Sequence, residues 1–207
     1  MAVPGLAFEA LNLHRNPFGE LEAHERAALA VVEPALLEQA RELGRAGQAL
    51  LFLGDCGRGK STHLHAVHAL HAGVPLTYVG PGERPRIPAA PVVFVDEVQR
   101  LSRRRRARLF RRRASFVLGS HEDHEPELER ADLRVSTVRV GGVDVHRLER
   151  IVARRIEAAR RTHGPVPRVP RATLEALTRH FGDDLRAIED HLYGVFQALE
   201  EVCDVEL

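Results

Sequence analysis

The sequence predicts an α/β fold in which a parallel five-stranded sheet is followed by three helices. Three observations carry this. Five short apolar runs alternate with helical periods up to Gly141-Gly142, and only helical periods follow. Two of those runs, 49–53 and 92–95, are apolar throughout rather than alternating, as in parallel strands covered by helices on both faces. With 207 residues and 44% hydrophobic side chains, the chain can build one compact core and a small satellite, and wholesale disorder is excluded.

The elements follow in order. Asn16-Pro17-Phe18-Gly19 is a turn, and helical patterning runs from about 21 to 43, interrupted at Pro34. Ala49-Leu50-Leu51-Phe52-Leu53 reads as a buried strand ending at Gly54, and 61–71 as a helix. Residues 76–79 form a short strand and 80–91 a Gly/Pro-rich loop. Val92-Val93-Phe94-Val95, 115–118 and the β-branched 135–140 complete the sheet. Beyond Asp144 come three apolar stripes at helical spacing: Leu148, Ile151 and Val152; Leu174, Leu177 and Phe181; and Leu185, Ile188, Leu192, Val195, Leu199 and Val202. Pro165, Pro167 and Pro170 separate the first from the second.

The two cysteines, Cys56 and Cys203, have no metal-ligand spacing and suit a reduced compartment. The N-terminus has no charged region followed by an apolar run, and nothing approaches membrane-span length, so a cytoplasmic, non-membrane protein is expected. The net charge of +1 hides local asymmetry. Lys60 is the only lysine; every other strong base is arginine.

That lysine sits in Gly54-Asp55-Cys56-Gly57-Arg58-Gly59-Lys60-Ser61, which fits G-x-x-x-x-G-K-[ST] without departure. The glycines let backbone N–H groups turn inward around phosphate oxygens, and the following helix adds its dipole. Lys60 would reach the β- and γ-phosphates, and Ser61 would offer its hydroxyl to Mg²⁺. With Thr62, this stretch is the expected ATP-binding set. An apolar strand enters the loop and a helix leaves it, as the motif requires. Asp96 and Glu97 follow the four apolar residues 92–95. At the carboxyl end of a buried strand, Asp96 would hold Mg²⁺, and Glu97 is the natural base for an attacking water.

Taken together, the phosphate loop, the acidic pair and the helical tail resemble the AAA+ ATPases. On that resemblance 1–46 is an N-terminal helical segment, 47–142 the P-loop ATPase core and 143–207 a helical lid. Phe116-Val117-Leu118-Gly119-Ser120-His121 resembles the strand ending in the family's sensor-1 residue, with Ser120 first choice and His121 second. Phe181-Gly182-Asp183-Asp184-Leu185-Arg186 resembles the sensor-2 helix, which implies that Arg186 contacts the γ-phosphate. Asn16-Pro17-Phe18 resembles the segment that packs near adenine, which implies a nucleotide contact for Phe18. Sites shared between subunits imply a homo-oligomer and an arginine supplied in trans, for which Arg130 is the better match and Arg134 the runner-up. The compact form is similar to ATPases of transposition and secretion systems. One departure stands out: 80–91 has room only for a loop where many members carry a helix and a client-gripping loop, which argues against a protein-threading unfoldase.

The segment 100–113 is unusually basic. With Ser102 as cap, helical spacing puts Ala107, Phe110 and Ala114 on one face and Arg104, Arg105, Arg108, Arg111 and Arg112 on the other. Guanidiniums clustered without acids repel one another, and an external polyanion would relieve them. Nucleic acid is the first reading, and a protein partner the second. Glu122, Asp123, Glu125, Glu127 and Glu129 form an acidic patch able to receive such a face. His63, His65, His68 and His71 have spacing that permits a metal without implying one. The expected function is therefore an oligomerising ATPase acting on or alongside nucleic acid. The alternative is an ATP-dependent switch read by a protein partner; a small-molecule kinase fits less well, because no acceptor site is visible.

Overall fold

The computed structural model describes residues 8–44, 46–141 and 143–206. Residues 1–7 and Gly142, the point at which the patterning turns wholly helical, lie outside them. The chain forms two compact units, Arg26–Gly141 and a second made of Met1–Glu25 with Gly142–Leu207. The N-terminal segment expected over 1–46 is thus divided between them, with helix α1 (Ala23–Leu29) spanning the division.

The first unit is built on strands β1 (Gln48–Leu53), β2 (Leu76–Tyr78), β3 (Val92–Asp96), β4 (Ser115–Ser120) and β5 (Arg134–Arg139). They form one sheet in the order β2-β3-β4-β1-β5, every pairing parallel. Side chains alternate across a strand, so an all-apolar run needs cover on both sides. Ala49, Leu51, Val93, Val95, Phe116 and Leu118 pack on one face against Leu101, Leu109, Phe110 and Leu128. Leu50, Phe52, Phe94 and Val117 pack on the other against Ala40, Leu64 and Val67. Each fully buried phenylalanine contributes about 1.5–3 kcal/mol. The central strands β1, β3 and β4 are buried almost throughout, whereas edge strands β2 and β5 are half-exposed.

Helices α2 (Pro34–Arg41), α3 (Lys60–His68), α4 (Arg103–Phe110) and α5 (Glu125–Glu129) belong to this unit. Pro34 starts α2 rather than interrupting a longer helix, because the ring fixes φ where the N–H would be unsatisfied anyway. Residues 81–91 carry no helix or strand, as the sequence expects. The second unit contains α6 (Val145–Ala159), α7 (Arg171–Phe181) and α8 (Leu185–Ala198). Its apolar stripes are those expected except that Phe181 is only half-buried and that the end of α8 differs. The helix stops at Ala198, and the fully buried residue there is Phe196, not Val195 or Leu199. No helix among the described residues is long and apolar enough to cross a membrane.

One polar cross-brace lies inside the first unit. Arg106, on α4, is 9% exposed. Its Nε and Nη2 each donate to the Glu127 carboxylate of α5 at 2.9 Å, and Nη1 donates to the carbonyl of Leu101 at 2.6 Å. Those bonds hold the Glu127 carboxyl below its ordinary value, against the opposing effect of burial. A carboxylate with a depressed folded-state pKa contributes stability that is full above its unfolded value, about 4.3, and lost as pH falls through the folded one. Glu127→Gln should therefore cost about 2 kcal/mol at neutral pH, between the roughly 0.2–1 of exposed pairs and the 3–5 of fully buried ones. Measured by urea unfolding, the gap to wild type should narrow below about pH 4. Equal stabilities at pH 7 would show that the brace contributes nothing.

Candidate functional site

Three parallel strands deliver their carboxyl ends to one place. In the register of the sheet, Leu53 at the end of β1 lies beside Ser120 at the end of β4, and Val95 of β3 lies beside Leu118. The 54–61 loop, the Asp96-Glu97 pair and the Ser120-His121 turn therefore emerge side by side, the position at which open α/β sheets bind ligands.

The loop leaves β1 through Gly54, where a Cβ would stand 2.0 Å from the carbonyl oxygen of Val140. Only glycine passes. Gly57 and Gly59 have φ of 82° and 89°, a region other residues enter at a cost. Gly59 is the N-cap of α3, so the first N–H groups of that helix have no intrahelical partner and are available to an anion. Lys60 is buried at 5% exposure, and its Nζ donates to the carbonyl of Asp55 at 2.7 Å. An ammonium has three donors, and this uses one. Arg58, Ser61 and Thr62 are half-buried, while Asp55 and Cys56 are exposed.

Asp96 is 3% exposed, and each carboxylate oxygen has a partner. Oδ2 accepts from the Ser61 hydroxyl at 2.7 Å, and Oδ1 accepts from the Glu97 N–H at 3.0 Å. The two residues expected at a Mg²⁺ are thus in direct contact. Gly119 makes room for this: a Cβ there would lie 2.3 Å from Asp96 Oδ1. Nothing in the local sequence around Gly119 marks this approach of Asp96.

Glu97 is 8% exposed and left-handed, with φ 60° and ψ 43°. A non-glycine residue held there costs about 1–3 kcal/mol, which persists only where the surroundings enforce it. Its Oε2 accepts from Gln99 Nε2 at 2.7 Å and pairs with Arg100 Nη2 at 3.0 Å. Arg100 is itself anchored, donating to the Tyr78 hydroxyl at 2.8 Å and the Val79 carbonyl at 2.9 Å. The expected base is therefore bound by a neighbour that sequence reading assigned no role.

The two sensor-1 candidates separate. Ser120 is fully buried, and its hydroxyl accepts from the Glu122 N–H at 2.9 Å. His121 is exposed, with Nδ1 4.0 Å from Glu97 Oε2 and 3.0 Å from Gln99 Nε2. Arg130 caps the C-terminus of α5 and Arg134 opens β5; both are exposed. In the second unit Arg186 is exposed in the first turn of α8, beyond an Asp184 cap that accepts from the Ala187 N–H at 3.1 Å. Phe18 is enclosed in that same unit, edge-on to Phe196 at 5.1 Å. His63, His68 and His71 are spent on backbone carbonyls of Gly59, Val74 and Ala40. No group of three or more His, Cys, Asp or Glu among the described residues is placed to hold a metal.

On the arginine helix Phe110 and Ala114 are buried as expected, but Ala107 is exposed, and Arg106 and Leu109 face inward, Arg106 paired with Glu127. Ser102 makes no side-chain cap bond. Arg105, Arg108 and Arg112 line a cleft against the 81–91 loop, while Arg104 and Arg111 are exposed and are not among its lining residues.

No protein-family model matches the sequence, and no curated protein matches it. Solved structures do. Domain III of the Thermotoga maritima replication initiation protein DnaA superposes with a TM-score of 0.59 at 17% identity, over 86% of this chain and 89% of that one. NtrX from Brucella abortus in complex with ADP gives 0.53 at 12%, over 86% and 56%. The Thermotoga maritima RuvB Holliday junction branch migration motor gives 0.51 at 20%, over 86% and 61%. The chain thus spans little more than half the length of the latter two. All three are AAA+ proteins, and the fold of this chain is the AAA+ fold. None of the three speaks to transposition or secretion.

Gly119→Ala tests the arrangement around Asp96. The new methyl must displace the carboxylate, because Leu64 stands 3.4 Å behind it. The bonds to Ser61 and the Glu97 N–H should break, costing about 1–3 kcal/mol of stability. Any metal-dependent part of ATP affinity should disappear, as read by calorimetry with Mg²⁺ and with EDTA. Retention of a Mg²⁺ effect equal to that of wild type would show that Asp96 is not at the metal.

Proposed function

We propose that this AAA+ chain binds ATP with Mg²⁺ and hydrolyses it, works as a homo-oligomer, and acts on or alongside nucleic acid. The observation that carries the reading is the 2.7 Å contact between Ser61 and Asp96, which joins the phosphate-loop helix to the acidic strand end. Two hard oxygen donors beside a phosphate cradle fit Mg²⁺, which takes few protein ligands and keeps water and phosphate as the rest. When bound, Mg²⁺ would neutralise charge on the β- and γ-phosphate oxygens. Lys60 exchanges the Asp55 carbonyl for phosphate oxygens, keeping its charge inside the loop.

Glu97 orients the attacking water and receives its proton. Gln99 and Arg100 both engage its Oε2, and Oε1 is the oxygen we assign to the water. Arg130 is the residue we assign to stabilise phosphoryl charge in a neighbouring subunit, and Arg186 the contact from the lid. Support for the nucleic-acid side comes from α4 and from the similar structures, of which one is a replication initiation protein and another a Holliday junction motor. The capture of Glu97 by Arg100 favours a second reading, in which ATP is bound and rarely turned over and a protein partner reads the bound state.

The variants divide these readings. Lys60→Ala should abolish tight ATP binding in calorimetry. Glu97→Gln should keep binding and lower turnover by about 10²-fold or more; unchanged turnover would remove Glu97 from the chemistry. Arg130→Ala should bind ATP and turn over slowly. Mixing it with excess Glu97→Gln should restore activity, since each subunit supplies what the other lacks. Absence of rescue in mixtures that demonstrably co-assemble would refute a shared site built on Arg130.

A further inference from the structure

A cleft of about 690 Å³ opens between α4 and the loop over residues 86–89, within the sheet-containing unit. Four arginines line it, Arg86 from the loop and Arg105, Arg108 and Arg112 from the helix side, over apolar side chains that include Ile87 and Leu109. No carboxylate is among its described lining residues. Glu83, in the same loop, accepts from the Gly80 N–H, and Glu127 of α5 pairs with Arg106. Two of the guanidiniums build the wall. Arg105 donates to the Pro85 carbonyl at 2.6 Å, and Arg112 donates to the carbonyls of Ile87 and Pro88 at 3.0 and 3.3 Å. Arg86 and Arg108 are exposed, and no partner is seen for either among the described residues. Four like charges in one concavity repel one another, so the arrangement opposes folding unless an anion occupies it.

We propose that this cleft binds a single strand of nucleic acid through its phosphodiester backbone. The proposal rests on the nucleic-acid reading above and gives it a location, adding Arg86 and removing Arg104 and Arg111 from direct contact. A single strand, rather than a duplex or an acidic helix, can lay sugar and base faces on the apolar side chains of Ile87 and Leu109 while its phosphates meet the arginines.

An extended acidic peptide could meet the same guanidiniums with its carboxylates, but it could not add the backbone hydrogen bonds by which peptides join a sheet edge. Here Pro81, Pro85, Pro88 and Pro91 have no N–H to give, and the carbonyls of Pro85, Ile87 and Pro88 already accept from arginine. A phosphodiester strand needs only side-chain cations, and planar guanidiniums match phosphate oxygens two at a time. The apolar floor suits sugar and base faces. Without an aromatic platform or a base-edge donor set, sequence preference should be weak.

The test uses fluorescence anisotropy on the full chain with a labelled oligo-dT strand, a duplex of equal length, and an oligo-glutamate competitor. Four contacts at about 0.7 each give a log–log salt slope near 2.8 for a single strand, so affinity should fall about 50-fold from 50 to 200 mM salt. Arg86→Gln with Arg108→Gln removes two heads that hold no loop carbonyl. The slope should drop to about 1.4, and the loss over the same salt range to about 7-fold. Arg104→Gln with Arg111→Gln removes the same charge outside the cleft and should change the slope by less than half as much. Circular dichroism melts confirm that both variants fold. Equal loss from both pairs would overturn the cleft while leaving nucleic-acid binding in place. Duplex binding as tight as the strand, or oligo-glutamate competing as well as unlabelled strand, would also overturn it. No salt-dependent binding of wild type at 50 mM would remove both this proposal and the reading beneath it.

Discussion

A carboxylate taken out of water at the end of a parallel strand must have every oxygen partnered, because an unpaired buried charge costs several kcal/mol. Asp96 meets that constraint with one bond from Ser61 and one from the Glu97 N–H. Much of the site follows from it. The bond to Ser61 fixes the start of α3 against β3. The bond to the Glu97 amide accompanies the left-handed backbone at that residue, so the strand cannot simply continue and the acidic side chains diverge. The empty Cβ position of Gly119 is the room in which the carboxylate turns. Sheet register brings β1, β3 and β4 into line, but the carboxylate contacts join their ends into one site.

The second residue of the pair is under opposing demands. Glu97 is nine-tenths buried in a sparsely populated conformation, which separates it from bulk water and aims it away from the strand. In the same arrangement a carboxylate oxygen is shared by Gln99 and Arg100, and Arg100 is tied to the edge strand through Tyr78 and Val79. Releasing that oxygen requires movement of these side chains or of the β2 edge that anchors Arg100. That edge strand is short and half-exposed, and among the described residues its only strand partner is β3, so the anchor stands on one of the sheet's less constrained parts.

What the sequence made legible is what it writes contiguously. The five strands, the phosphate loop, the loop over 80–91 and the place of Asp96 beside the phosphate loop all follow from short contiguous motifs. Gly119 was not legible, because the atom it accommodates is distant in sequence and nothing local marks the approach. Arg106 was not legible for a different reason. Periodicity treats arginine as solvent-facing, so it places Ala107 beside Phe110 and Ala114, whereas a bidentate partner on another helix draws Arg106 inward instead. At the end of α8 the stripe continued on paper past the point where the helix stops. Phe196 is buried there because Phe18, from the other end of the chain, packs against it.

The arginines show why composition alone misleads in a chain with a single lysine. Arg106 is structural and neutralised by Glu127. Arg105 and Arg112 are structural in another sense, since they fasten a proline-rich loop that has few N–H groups of its own for making regular structure. Neither role consumes the positive charge of the last two, because carbonyl oxygens satisfy donors without cancelling charge. The loop is thus held by groups that leave the cleft basic. A hydrophobic or acid-paired fastening would have closed the same loop with less repulsion, and the chain instead keeps Arg86 and Arg108 uncompensated beside two charges already in place. A fastening that preserves charge is intelligible where the wall it builds has to face an anion.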